Sequence, residues 1–462
     1  MSRPEGSPIR GEARHLLRLA VPVVLGLLGT MMMGFVDTLM VGRVSVEALA
    51  AAAIANFWIF ATLHGATGIL FGLDPLVSQA HGAGDGERAG RALQSGVVLA
   101  GLLSIVLMAL WAMSGTVLTA LGQDPALAAE AHAYTWVQIP SIPFLLGSAA
   151  LRQYLQAREL VRPAMWVVLV ANLWNVFFNW VFIFGNLGMP ALGLEGAGIA
   201  TSLTRVLSAL ALFGLVRSRG YHRGAWMPWS WQSFDPAGLR ALLALGVPIA
   251  LQMGLEMWAF SGSNLIAGWL GAPQLAAHTI VLNLASITFM VPLGISQGAA
   301  VRVGNLLGAG RPSQARMASW VAIAMGAAVM TVSATAFVVL REVLPAAYTK
   351  DATVLALAAS ILPVAAAFQV FDGTQAVACG VLRGMGKPRP AAVFNLIGYW
   401  VLALPIGTWL ALRTDAGLAG LWWGLAGGLC LVAVGLVIWI RARAQRVLDQ
   451  LASRAMADRD AL

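Results

Sequence analysis

Residues 22–42, PVVLGLLGTMMMGFVDTLMVG, return in altered form as residues 248–268, PIALQMGLEMWAFSGSNLIAG. Each stretch opens on proline, closes on glycine and is otherwise almost wholly apolar, and each carries one carboxylate, Asp37 or Glu256. At the same offset of 226 residues, without gaps, Leu49-Ala50-Ala51 pairs with Leu275-Ala276-Ala277, and Gly68 and Gly72 pair with Gly294 and Gly298. HGAGDGERA (81–89) likewise matches LGAGRPSQA (307–315). One fixed period holding over so many glycine and proline positions marks an internal repeat. The two acids are not each other's counterparts: Asp37 falls opposite Ser263, and Glu256 opposite Thr30. Each half therefore has its own first-helix acid at its own depth, and the scaffold itself does not require one.

The surrounding composition says what kind of scaffold this is. Of 462 residues, 59% are hydrophobic and 11% charged, against roughly 25% charged in a soluble domain. Such a chain belongs in a bilayer. Runs of about 20 apolar residues, the length a spanning helix needs, occur twelve times. They cover 16–40, 49–78, 92–114, 130–156, 163–185, 194–216, 239–269, 275–307, 317–340, 353–381, 390–412 and 417–440. Several exceed one crossing and imply tilt or bending; Pro22, Pro140, Pro143, Pro248 and Pro292 give the bends a cause. The expectation is an all-α polytopic membrane protein of twelve helices in two six-helix bundles. Six spans separate the copies, so both halves insert in the same sense, as in parallel-repeat transporters. The expected divisions are an N-lobe (1–216), a linker (217–238), a C-lobe (239–440) and a basic tail (441–462).

Charge placement sets the orientation. With a cytoplasmic N-terminus, 24 of the 29 Lys and Arg residues fall in the inner turns and tails. Four fall outside (Arg43, Arg341, Lys350, Arg413), and Arg205 is left inside a span. That is the positive-inside pattern, and it puts both termini in the cytoplasm. It also disposes of a nucleic-acid reading of the net charge of +9, because the cations are topology signals and form no single face. Cys379 and Cys430 both lie in apolar segments, so no disulfide framework is implied. The first apolar run is too long for a cleavable signal peptide.

Three carboxylates lie well inside apolar sequence: Asp37, Glu256 and Asp372. An acid removed from water favours its neutral form, so such a group can exchange a proton or trade it for Na⁺, the chemistry an ion-coupled transporter needs. Asp37 also has a plainer reading, since about 21 residues into its span it approaches the outer interface. Intramembrane acids are functional by default, and the repeat favours that reading. Asn175 and Asn179 stand four apart on one face of the fifth span, where they either bond between helices or pair with Asp37. Asp74, beside Pro75, reads as a cap or as lining of the inner mouth, and His64 and His278 as packing or interfacial residues. No phosphate-binding GxxxxGK[ST] and no zinc-ligand spacing occur, so the chain reads as neither an ATP motor nor an enzyme, and no cofactor is expected.

Taken together, the first-helix stretch, HGAGD, GLEGAGIATSLTR (193–205), VRVGNLLGAGRP (301–312) and GVLRGMGKPRP…NLIGYWVLALPIG (380–407) resemble the multidrug and toxic compound extrusion (MATE) transporters. The likeness is to the NorM-like branch and covers nearly the whole chain. It implies a monomeric antiporter of the bacterial inner membrane. Such a protein exports small organic, cationic or amphipathic compounds against Na⁺ or H⁺ by alternating access between two lobes. Asp37, Asn175, Asn179 and Thr201 match an N-lobe coupling site, and Glu256 and Asp372 match a C-lobe acidic pair. Na⁺ is then expected at Asp37 or at Glu256 and Asp372. Two departures stand out. Some relatives have aspartate where this chain has Asn179, and some have tyrosine where it has Phe368, so that hydroxyl is missing here. The runner-up function is a lipid-linked sugar flippase of the related superfamily, which implies a more cationic cavity than these embedded acids provide.

Overall fold

The structure is a computed structural model that describes residues 8–444; Arg3 and the part of the expected basic tail beyond residue 444 lie outside the described residues. Among these the chain is helical and contains no strand. The first half supplies α1 (Pro8–Val41), α2 (Val46–Leu70), α3 (Leu73–Gly82), α4 (Gly86–Ala112), α5 (Ser114–Ala120), α6 (Pro125–Trp136), α7 (Ile142–Ala157), α8 (Arg162–Phe184) and α9 (Gly193–Ser218). The second supplies α10 (Pro236–Trp269), α11 (Ala272–Gly308), α12 (Pro312–Val339), α13 (Ala352–Gly384), α14 (Arg389–Asn395), α15 (Leu404–Arg413) and α16 (Gly417–Trp439).

Among the described residues eleven helices are long and apolar enough to cross a bilayer, with α2–α3 and α14–α15 each counted as one. The twelfth expected span, 130–156, is broken: α6 ends at Trp136, a 3-10 turn occupies Ile139–Ser141, and α7 follows. Pro140 and Pro143 supply the cause, since proline lacks the N–H of the helical ladder and its ring crowds the carbonyl one turn back. Pro22, Pro248, Pro292 and Pro363 are instead absorbed within continuous helices.

The chain forms two compact units, each drawing on both halves of the sequence. Among the described residues, one comprises 8–24, 78–84 and 251–444; the other comprises 25–77 and 85–250. The repeat glycines explain why. A Cβ on Gly294 of α11 would stand 2.3 Å from Val24 of α1, and one on Gly68 of α2 would stand 2.7 Å from Ala250 of α10. Within its own unit, each glycine lets the start of the other half's first helix cross at backbone distance. In the first unit Arg302 also grips Glu12 of α1 through two hydrogen bonds, 2.6 and 2.9 Å.

In that unit α13 is the central helix, packed against α11, α12 and α16. Lipid tails are as apolar as leucine, so helices associate here by close contact of small residues and by hydrogen bonds. A Cβ on Gly380 would lie 2.2 Å from the Ser296 carbonyl oxygen, and Ser296 Oγ donates to the Ala376 carbonyl at 2.6 Å. Gly380→Val must push α11 and α13 apart. It is expected to cost about 3 kcal/mol or more through overpacking, read as a lowered thermal unfolding midpoint in detergent. Gly427→Ala, whose Cβ meets nothing within 4 Å, is expected to leave the midpoint unchanged.

Candidate ion-coupling sites

In the second unit, α1 presents Asp37 one turn before its C-terminus, half-buried rather than open to water. Across from it α8 presents Asn175 and Asn179, both fully buried and four residues apart. Asn179 Nδ2 donates to Asp37 Oδ1 at 2.6 Å and to Asn175 Oδ1 at 3.2 Å. Thr201 Oγ1 on α9 donates to Asp37 Oδ2 at a long 3.5 Å. Helix α9 comes close enough because Gly196 has no side chain; a Cβ there would stand 2.3 Å from the Phe182 carbonyl oxygen of α8. All four sequence-derived residues of this set therefore meet. Asn179 Oδ1 is buried with no hydrogen-bond partner among the described residues. The cluster thus offers carboxylate, amide and hydroxyl oxygens, the donor set a hard cation prefers.

One residue that sequence reasoning left aside belongs to this cluster. Arg205, one turn beyond Thr201, carries the positive charge that interacts with the Asp37 carboxylate. Its Nη1 donates to Ser141 Oγ at 3.3 Å, and its guanidinium lies 5.8 Å from the Trp111 ring centre. The signal was there to read, for Arg205 was the one basic residue that the orientation pattern left within a span.

In the first unit the acids are differently housed. Glu256 Oε2 accepts from three carboxamides: Gln252 Nε2 at 3.1 Å, Gln375 Nε2 at 3.2 Å and Asn395 Nδ2 at 3.3 Å. Gln375 ties this group together by also donating to Asn395 Oδ1 at 3.3 Å. Asp372 sits three residues before Gln375 on α13, buried, and its Oδ1 has no partner among the described residues. The structure gives no hydrogen bond between Glu256 and Asp372. Both line one cavity of about 320 Å³, whose walls include Phe260, Phe368, Ser261 and Asn264.

The two half-chain first helices that carry Asp37 and Glu256 also begin the two segments of a family match. The family model MatE matches residues 22–181 and 248–409. The chain belongs to the MATE family. The matched segments begin on Pro22 and Pro248, the offset of the repeat itself. Among curated relatives, the chain is 38% identical over 444 residues to a protein of Mesorhizobium japonicum named "Probable multidrug resistance protein NorM", with 94% of each chain covered. It is 35% identical over 442 residues to "Multidrug resistance protein NorM" of Burkholderia vietnamiensis, covering 92% of this chain and 94% of that one. Among solved structures, the eukaryotic MATE transporter AtDTX14 superposes with a TM-score of 0.87 at 26% identity, over 97% of this chain and 100% of the other.

In this MATE-family chain Phe368 stands on the apolar wall of the cavity. It packs edge-on against Phe260 at 6.0 Å and Trp422 at 5.6 Å between ring centres, so it closes the pocket without adding a polar atom. Of the three carboxamides on Glu256, Gln252 was legible in principle, four residues earlier on the same helix face. Asn395 was not, because it stands 139 residues away on another helix, α14, and no local period relates the two. Asp74 proves fully buried in the first turn of α3, its charge acting on Arg152 of α7. His278 is a buried residue that bonds Ser263 Oγ through Nε2 at 3.1 Å.

Proposed function

We propose that this membrane protein exports small organic, cationic or amphipathic compounds, driven by inward movement of Na⁺ or H⁺. It works by alternating access as a monomer in a bacterial inner membrane, with both termini cytoplasmic. The relatives' names support the drug-efflux part, and the positive-inside pattern supports the orientation. The observation that carries the coupling part is the housing of the acids: Asp37 among amide and hydroxyl oxygens, and Asp372 with a bare buried oxygen beside a cavity. Charged groups are kept away from water at this cost where they serve ion or substrate pathways.

A coupling ion and a cationic substrate compete for the same negative charge. Whichever binds one conformation better draws the protein toward it, because a ligand shifts an equilibrium only through its differential affinity for the two states. Phe368 removes one hydroxyl from the C-lobe, which makes proton exchange at Glu256 and Asp372 the simpler reading there; the oxygen-rich Asp37 cluster suits either ion. No bond of the substrate is made or broken, so the protein acts as a carrier, with no cofactor.

The test is export of ethidium or a fluoroquinolone by the purified protein in sealed vesicles, under an imposed Na⁺ or H⁺ gradient. Export is expected with at least one gradient and to stop when that gradient is collapsed by an ionophore. Equal export with neither gradient present would sink the antiporter reading.

A further inference from the structure

The segment between α9 and α10 is short of acids and rich in arginine and tryptophan. From 217 to 240 it contains Arg217, Arg219, Arg223 and Arg240 against the single acid Asp235, with Trp226, Trp229 and Trp231 between them. Its backbone is fastened down. Arg158 Nη1 donates to the Tyr221 carbonyl at 2.7 Å, and Gln94 Nε2 donates to the Met227 and Pro228 carbonyls at 3.1 Å. Gly86 and Gly90 of α4 let it lie flat, since a Cβ on either would stand within 2.2 Å of the Gly224 or Ala225 carbonyl oxygen. Yet its large rings face outward: Trp231 is 93% exposed and Trp229 52%. A loop pinned this tightly while presenting aromatic rings and cations is built for a surface that is apolar below and anionic above.

At its root the segment forms a crevice of about 120 Å³, lined by Phe213, Val216, Arg217, His222 and Trp226. The imidazole of His222 is fixed at both nitrogens. Its Nδ1 donates to the Val216 carbonyl at 3.3 Å, and its Nε2 accepts from Arg217 Nη1 at 3.2 Å. That aims one edge of the guanidinium and leaves its remaining N–H groups for a ligand. Trp226 meets Phe213 edge-on at 6.1 Å between ring centres, and Phe213 is exposed on the lipid-crossing helix α9. A cation at the rim, aromatic walls and an opening along a membrane helix describe the two ends of one molecule.

We propose that this crevice binds an anionic phospholipid. The headgroup phosphate accepts from Arg217, with Arg219 and Arg223 adding positive field; Trp226 covers the glycerol; an acyl chain descends along Phe213. Trp229 and Trp231 settle in the same interfacial layer, where tryptophan is favoured. The inference rests on the chain spanning a bilayer and is independent of what it transports.

The test uses delipidated full-length protein in neutral detergent, titrated with phosphatidylglycerol, with phosphatidylcholine of matched acyl chains, or with inorganic phosphate, and read by native mass spectrometry. Phosphatidylglycerol is expected to bind in preference to phosphatidylcholine, and inorganic phosphate not to compete at equal concentration. Arg217→Gln is expected to weaken phosphatidylglycerol binding about five-fold, the usual worth of one interfacial cation, while Arg217→Lys keeps most of it. Trp226→Leu, in the same crevice, is expected to weaken both lipids. Equal binding of the two lipids by the unmodified protein overturns the proposal without any variant being needed. So does unchanged phosphatidylglycerol binding by Arg217→Gln, or displacement of the lipid by inorganic phosphate. Vesicle export, measured alongside, reports separately on the efflux reading.

Discussion

Asp37→Asn is expected to insert and fold, and to lose gradient-driven export by at least about tenfold. The side chain keeps its size, and its Oδ1 can still accept from Asn179 Nδ2, the 2.6 Å bond that anchors it. What disappears is the charge. A hydrogen bond or ion contact to a charged group is worth about 1.5–3 kcal/mol against about 1 for a neutral one, and each 1.4 kcal/mol of differential binding is roughly tenfold in affinity. A coupling ion that binds both conformations almost equally can no longer bias them. Asp37→Ser is a sharper version, because Ser263 is what the second half carries at the same place in the repeat. It too is expected to fold and not to transport. Full export by either variant across a range of pH values would remove Asp37 from the mechanism.

Glu256 should respond differently to two replacements, and the difference separates its charge from its bonding. In Glu256→Gln the amide oxygen can replace Oε2 as acceptor for the three carboxamides, so stability is expected to change by less than about 1 kcal/mol while coupled export falls at least about tenfold. Glu256→Ala leaves the amide groups of Gln252, Gln375 and Asn395 facing a void. Stranding buried donors costs about 1–3 kcal/mol, so this variant is expected to lower the unfolding midpoint as well. Combining Glu256→Gln with Asp372→Asn is expected to cost little more in export than either alone, since groups acting as a unit are strongly non-additive. Additive losses would mean that the two acids serve separate steps.

Most of the helical architecture was legible because its cause is local. A run of apolar residues about 20 long reads as a spanning helix wherever it occurs, and paired glycines and prolines at one offset reveal the repeat without any contact being known. The exception is instructive: the 130–156 run satisfied the length rule, but Pro140 and Pro143 split it into α6 and α7. Hydropathy averages over a window, and backbone hydrogen bonding does not. The embedded acids were legible for the same local reason, each standing out as a charge among apolar neighbours.

By itself, then, the sequence determined a helical membrane protein of two related halves, with Asp37, Glu256 and Asp372 as the acids worth watching and Asn175 and Asn179 on one face. Only the tertiary structure decided which groups meet. It brought Asn179 rather than empty lipid to Asp37, set Arg205 within electrostatic reach, gathered three carboxamides on one oxygen of Glu256, and joined the start of α1 to the unit built from the later helices. The physical reason is that a helix repeats every 3.6 residues and so writes its own faces into nearby sequence. Contacts between helices more than a hundred residues apart depend on where a missing Cβ lets two backbones cross, as at Gly68 and Gly294, and no local period carries that information.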